Sequence, residues 1–148
     1  MLRLSKKADY GLIALTHLAA RRRGGTASAK EIADAYGIPL PLLSKVLQKL
    51  ARRGFLDSIQ GVNGGYKLAR QADTISALEV IRVIDGPIVL TRCRASRSRC
   101  YQSEKCTVRE PLRTVHEGIV ELLAGIKISD MSKKRGQPGV RPLTVLQT

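Results

Sequence analysis

Cys93, Cys100 and Cys106 are the only cysteines in the chain, separated by six and five intervening residues. Thiolates are soft ligands suited to iron–sulfur clusters, zinc or Cu(I), and a loop of this length lets three of them converge on one centre. Clusters and structural zinc usually take four protein ligands, so the set calls for a non-cysteine fourth ligand, a residue from a second copy, or an open position. Arg92, Arg94, Arg97, Arg99 and Lys105 surround the thiols, opposed nearby by Glu104. That positive charge favours bound thiolates and pushes a cluster's reduction potential upward, which describes a redox-responsive site. Three closely spaced cysteines make a poor disulfide framework, and spacing alone leaves zinc or unligated thiols as alternatives.

A loop needs elements to hold it. Ser5 can cap a helix running to about Arg23, with Ala8, Leu12, Leu15 and Ala19 on its apolar face and Gly24-Gly25 ending it. Ser28-Ala29-Lys30-Glu31 has the form of a capping box, Ser28 accepting from the Glu31 N–H while the Glu31 side chain reaches back, and opens a short helix to about Tyr36. Gly37 suits a helix stop, and Pro39 and Pro41 suit the start of a helix with Leu43, Val46, Leu47 and Leu50 at core spacing, stopped at Gly54. Two short helices joined by a glycine turn predict a helix-turn-helix. Phe55–Gln60 and Tyr66–Ala69 read as strands joined by Gly61-Val62-Asn63-Gly64-Gly65, with Asn63-Gly64 as the turn signal. A hairpin there is a wing. Ser76-Ala77-Leu78-Glu79 repeats the capping box and opens a helix to about Asp85, stopped by Gly86-Pro87.

After the cysteines, from Thr107, Leu112, Val115, Ile119, Leu122 and Ile126 recur at spacings of three and four, a heptad seam that a single chain has no evident way to bury. A homodimer is the economical solution. The expected fold is therefore mainly α with a small β-hairpin: a winged helix-turn-helix domain over 1–70, a linker and connecting helix over 71–91, a cysteine loop over 92–106, a dimerisation helix over 107–126, and a C-terminal segment over 127–148, disordered from about 132.

The 148 residues carry 26 Lys+Arg against 12 Asp+Glu, a formal charge of +14, and are 43% hydrophobic but only 3% aromatic. The chain can bury an aliphatic core, and its charge attracts polyanions. The apolar stretch Gly11–Ala20 is too short to span a bilayer and has helical periodicity, so a cytoplasmic protein without membrane attachment is expected. In a helix-turn-helix, Pro41, Leu42, Ser44, Lys45, Gln48 and Lys49 are the groove-facing candidates. Ser44, Lys45 and Gln48 can bond base edges and Leu42 can meet a thymine methyl. Gln60 and Asn63 belong to the wing, and Lys6, Lys7, Arg52, Arg53 and Lys67 suit phosphate contacts. The competing readings are a solvated basic face on a protein-interaction winged helix, an RNA-binding protein, and an electron-transfer or redox enzyme. One Phe and four Tyr provide few stacking platforms for RNA. Paired catalytic carboxylates, a nucleophile–histidine arrangement and a phosphate-cradling loop are all missing, so no enzyme is expected.

The run Leu4-Ser5-Lys6-Lys7-Ala8-Asp9-Tyr10, the wing Gly61-Val62-Asn63-Gly64-Gly65-Tyr66-Lys67-Leu68 and the three-cysteine loop before a long helix together resemble the IscR-like (Rrf) family of bacterial transcription regulators, over about residues 1 to 131. Asp85-Gly86-Pro87-Ile88, Leu90-Thr91-Arg92-Cys93 and Ile128-Ser129-Asp130-Met131 look most like the family's regulators of SUF iron–sulfur cluster assembly. The resemblance implies a homodimer that binds a pseudo-palindromic DNA operator, usually as a repressor, with an iron–sulfur cluster on Cys93, Cys100 and Cys106, [2Fe-2S] rather than [4Fe-4S]. Some members take a His three residues after the last cysteine as fourth ligand. Arg109 stands there and cannot ligate. Nitric-oxide-sensing members use an Asp from the first helix of the other subunit, which corresponds to Asp9. The alternative for Asp9 is a surface ion pair with Lys6 or Arg3, and Glu104 and Glu110 are further ligand candidates. His116 lies about 15 Å of helix beyond Cys106 and, like His17, reads as structural. Many members carry an Arg where this wing has Gln60, so minor-groove reading there is not implied. A nitric-oxide, thiol or zinc signal in the same family is the alternative function.

Overall fold

A computed structural model describes residues 3–22, 24–91, 100–102 and 104–133. Ser5 caps α1 (Lys6–Ala19), its hydroxyl accepting from the Ala8 N–H. The helix stops at Ala19, short of the expected Arg23, because Arg21 turns out to bond the Thr26 carbonyl and pair with Glu31. Its buried face is also rotated from the expected one: Ala8, Gly11, Ala14, Leu15 and Leu18 are buried, and Leu12 and Ala19 only partly so. Three partner helices wrap α1, so more than a single stripe is covered.

Helix α2 (Ala29–Tyr36) opens with Ser28 accepting from the Glu31 N–H at 3.0 Å. The other half of the expected capping box does not form, since the Glu31 carboxylate goes to Arg21. Gly37, in the left-handed region at φ 64°, ends α2. Pro39 then caps α3 (Leu40–Arg52), which buries Leu43, Val46, Leu47 and Leu50 against α1, α2 and α4. Strands β1 (Leu56–Ile59) and β2 (Gly65–Leu68) pair antiparallel, Leu56 opposite Leu68 and Ile59 opposite Gly65. The loop between them has five residues, and the positive φ values fall on Gly61 within it and on Gly65, the first residue of β2. The Gly64 N–H bonds the Gly61 carbonyl, closing a turn with Val62 and Asn63 at its centre. Tyr66 also exchanges both backbone hydrogen bonds with Ala27, which ties the wing to the start of α2.

After a 3-10 turn (Ala72–Thr74), the complete capping box of Ser76 and Glu79 starts α4 (Ala77–Asp85). Helix α5 (Arg109–Gly125) packs on α4, and the chain then returns through Lys127, paired antiparallel with Ser76, into α6 (Ile128–Lys133). Helix α6 runs to Lys133. The rest of the tail lies outside the described residues. Ile128 is fully buried with Leu15, Ile32, Leu43, Leu47, Leu50, Leu56 and Ile75 in one core shared by the helix-turn-helix, the wing and α6. Among the described residues no helix is long and apolar enough to cross a membrane.

Candidate functional site

The amphipathic spacing that buries one side of α3 leaves the other in solvent. Pro41, Lys45, Gln48 and Arg52 follow one another at steps of four, three and four along an exposed stripe, with exposed Leu42 and Lys49 beside it and Ser44 half-buried. This is a row of donors, acceptors and one apolar contact on a rigid rod, without a carboxylate, at the size of a major groove. Lys49 is partly committed elsewhere: its ammonium donates to the Ile84 carbonyl at the C-terminal turn of α4, at 3.2 Å. The wing presents Gln60, Gly61, Val62 and Asn63 in solvent. Sequence reasoning passed over Val62, an apolar side chain fully exposed at the wing tip, of the kind that meets sugar edges or a groove floor. Lys67 is half-buried on β2 with Asp57 opposite in the register. Lys6 and Lys7 are exposed on the first turn of α1. Helix α3, the wing and the start of α1 thus leave all the expected contact residues except Ser44 and Lys67 largely open to solvent.

Cys100 is exposed and Cys106 half-buried, both free thiols on the turn-rich segment that enters α5. Cys93 lies outside the described residues, and among the described residues no group of three potential metal ligands converges. The donor set still suits iron chemically: soft, unbonded thiols flanked by cationic residues, with Arg109 excluded as ligand by its permanent charge. Asp9 is half-buried and forms none of the ion pairs among the described residues, so the alternative pairing with Lys6 or Arg3 is not seen there. It lines a shallow depression with Arg3, Leu4, Ser5, Lys6 and Asp85. Glu104 is exposed. Glu110 is engaged by Arg113 at 2.8 Å, and Arg113 also holds Glu117 at 2.9 Å; these bonds raise the guanidinium above its ordinary range. His17 stacks edge-on against Tyr36, its Nδ1 3.0 Å from the phenol oxygen, and so joins α1 to α2.

No residue of α5 is buried. Leu112 and Ile119 are half-buried, Val115 and Leu122 are 51% and 61% exposed, and Ile126 is half-buried beyond the helix end. His116 beside this seam has a buried Nδ1 with no hydrogen-bond partner among the described residues. At the far end of α4, burial pushes the Glu79 carboxyl up, but hydrogen bonds from the Ser76 backbone, Arg70 and the Ser76 hydroxyl outweigh it and leave Glu79 below the ordinary carboxylate range.

A winged helix-turn-helix with a basic reading face defines a DNA-binding transcriptional regulator. The family model described as Rrf2, iron-dependent transcriptional regulator, matches residues 4–134, and the chain belongs to that family. It is 28% identical over 134 residues to the HTH-type transcriptional regulator IscR of Xenorhabdus nematophila, covering 90% of this chain and 81% of the relative. Among solved structures it is similar to CymR, the global cysteine regulator of B. subtilis, with TM-score 0.76, 28% identity, and 90% and 98% of the two chains covered. The structure of T. potens IscR matches with TM-score 0.70 at 29% identity, covering 90% of this chain and 88% of that one.

Proposed function

We propose that the chain works as a homodimer that represses genes of iron–sulfur cluster assembly, SUF-type, and whose operator affinity follows the state of an iron–sulfur cluster held by Cys93, Cys100 and Cys106. The observation that carries this reading is α5: a helix of 17 residues with an apolar seam and no buried residue, directly after the cysteines and packed on α4 of the DNA-binding domain. A second copy covers the seam, fixes two α3 helices for half-sites about 34 Å apart, and brings its Asp9 as the fourth ligand. [2Fe-2S] is the favoured form. Bound there, the cluster supplies a reversible change of charge and ligand geometry. The chain's own residues do the rest: Ser44, Lys45, Gln48 and Leu42 read base edges, while Lys6, Lys7, Lys49, Gln60, Asn63, Lys67 and the backbone around Pro41 hold phosphates and the wing's groove.

A second reading follows from the exposed thiol of Cys100 and from the likeness to a regulator named for cysteine: a thiol switch on the same dimer. Anaerobic purification with an absorbance spectrum and iron, sulfide and zinc analysis decides between them. Visible bands with matched iron and sulfide, lost in Cys106→Ala and altered in Asp9→Ala, are the expected result. A colourless protein after reconstitution with iron and sulfide supports the thiol switch and refutes the cluster.

A further inference from the structure

The last turn of α4 is bonded to two places at once, and the sequence motifs account for neither bond. The Ser5 N–H donates to Asp85 Oδ2 at 2.9 Å and the Ser5 hydroxyl donates to Asp85 Oδ1, which sets the carboxylate on the N-terminus of α1. One residue earlier, the Ile84 carbonyl accepts from the ammonium of Lys49 on the reading helix. Each ion sits on the end of the helix dipole that favours it, the anion at an N-terminus and the cation at a C-terminus. The Ile84 side chain packs on Gly11 of α1, its Cδ1 filling the space that a Cβ there would take. Immediately afterwards Gly86, at φ 88°, ends α4, and Cys93 follows eight residues beyond Asp85 in the sequence. Asp9 shares the depression formed by Ser5 and Asp85.

We propose that Asp85 and Lys49 are positioning residues through which the cysteine segment biases the reading helix: a pull on the chain leaving α4 shifts Ile84 and Asp85, and with them Lys49 on α3 and the first turn of α1. This rests on the cysteine segment holding the responsive group. All three bonds lie at the surface, where water competes for each of them, so the balance between bonded and released forms is open to a small bias. It also reassigns Lys49, whose bond to α4 makes it a determinant of helix placement as well as a phosphate contact.

The test uses full-length protein in two states, loaded anaerobically with ferrous iron and sulfide, or stripped with EDTA. Backbone hydrogen exchange is followed at residues 5–9 and 46–53. In the wild type, exchange at both segments differs at least fivefold between the states. In Asp85→Asn and Lys49→Met, which keep side-chain size and leave metal uptake intact, the difference shrinks below twofold with unchanged iron and sulfide content; Lys45→Met, on the same helix without a bond to α4, keeps it. A difference that survives in both variants overturns the relay and leaves the cluster reading standing, as does a loaded wild type with no difference at α3. A chain that takes up no iron or sulfide overturns both. If Asp85→Asn fails to fold, Lys49→Met carries the test.

Discussion

Replacing Ile128 with Ala tests whether the short α6 is a structural part of the DNA-binding domain. The side chain is 0% exposed and sits in the same cluster as Leu15 and Leu50. The substitution removes three carbons, about 2.4 kcal/mol of transfer free energy at ~0.8 kcal/mol per buried methylene, and leaves a cavity that adds to the cost. A loss of about 3–4 kcal/mol is expected, a large share of the ~5–15 kcal/mol that holds a domain together. Urea unfolding followed by circular dichroism reads it as a fall in the midpoint at constant slope, at fixed protomer concentration so that dimer dissociation does not enter the comparison. Ile128→Val should cost only about 0.5–1.5 kcal/mol. A loss below about 1 kcal/mol for Ile128→Ala would mean that α6 frays from the core in solution and is not a structural part of the domain.

Leu122→Glu places a charge at the most exposed position of the seam and should give a folded monomer by analytical ultracentrifugation, since the single chain leaves that side chain largely in solvent; an unchanged dimer would put the interface elsewhere. Lys45→Ala should weaken operator binding by about 1–3 kcal/mol and lower the salt slope by about one if the contact is to phosphate, without changing thermal stability. Glu79, held below its ordinary value, contributes stability that is present above the ordinary carboxylate range and is lost as pH falls through the lower folded value. Glu79→Gln should therefore flatten the acid side of the stability-against-pH curve, and an identical acid limb in the variant would exclude it. Because Glu79 is 42% exposed, solvent screening keeps this effect small.

Local signals made much of the fold readable. Ser28 and Ser76 at their N-caps, Gly37 in the left-handed region and the alternation of apolar residues along α3 each act within a few residues of themselves, and each marked its element. The wing was found from its glycines, two of which, Gly61 and Gly65, take positive φ. The same range limit explains the misses. Glu31 abandons its own cap for Arg21, ten residues away, and α6 has too few residues to show a period, its burial being decided by α1. Ser5 and Asp85 are 80 residues apart, a separation at which no sequence spacing can announce a hydrogen bond.

The burial of Ile128 against a helix that begins at Lys6 has a consequence for biosynthesis. As the nascent chain leaves the ribosome, the helix-turn-helix and wing are complete by Leu68, yet the face of α1 that α6 covers stays bare until some sixty further residues have been translated. In that interval the cysteines emerge while the core is still open on one side. Exposure of the three thiols therefore precedes final closure of the domain, and a transcript truncated before Ile128 yields a chain that carries its three thiols but cannot seal its core.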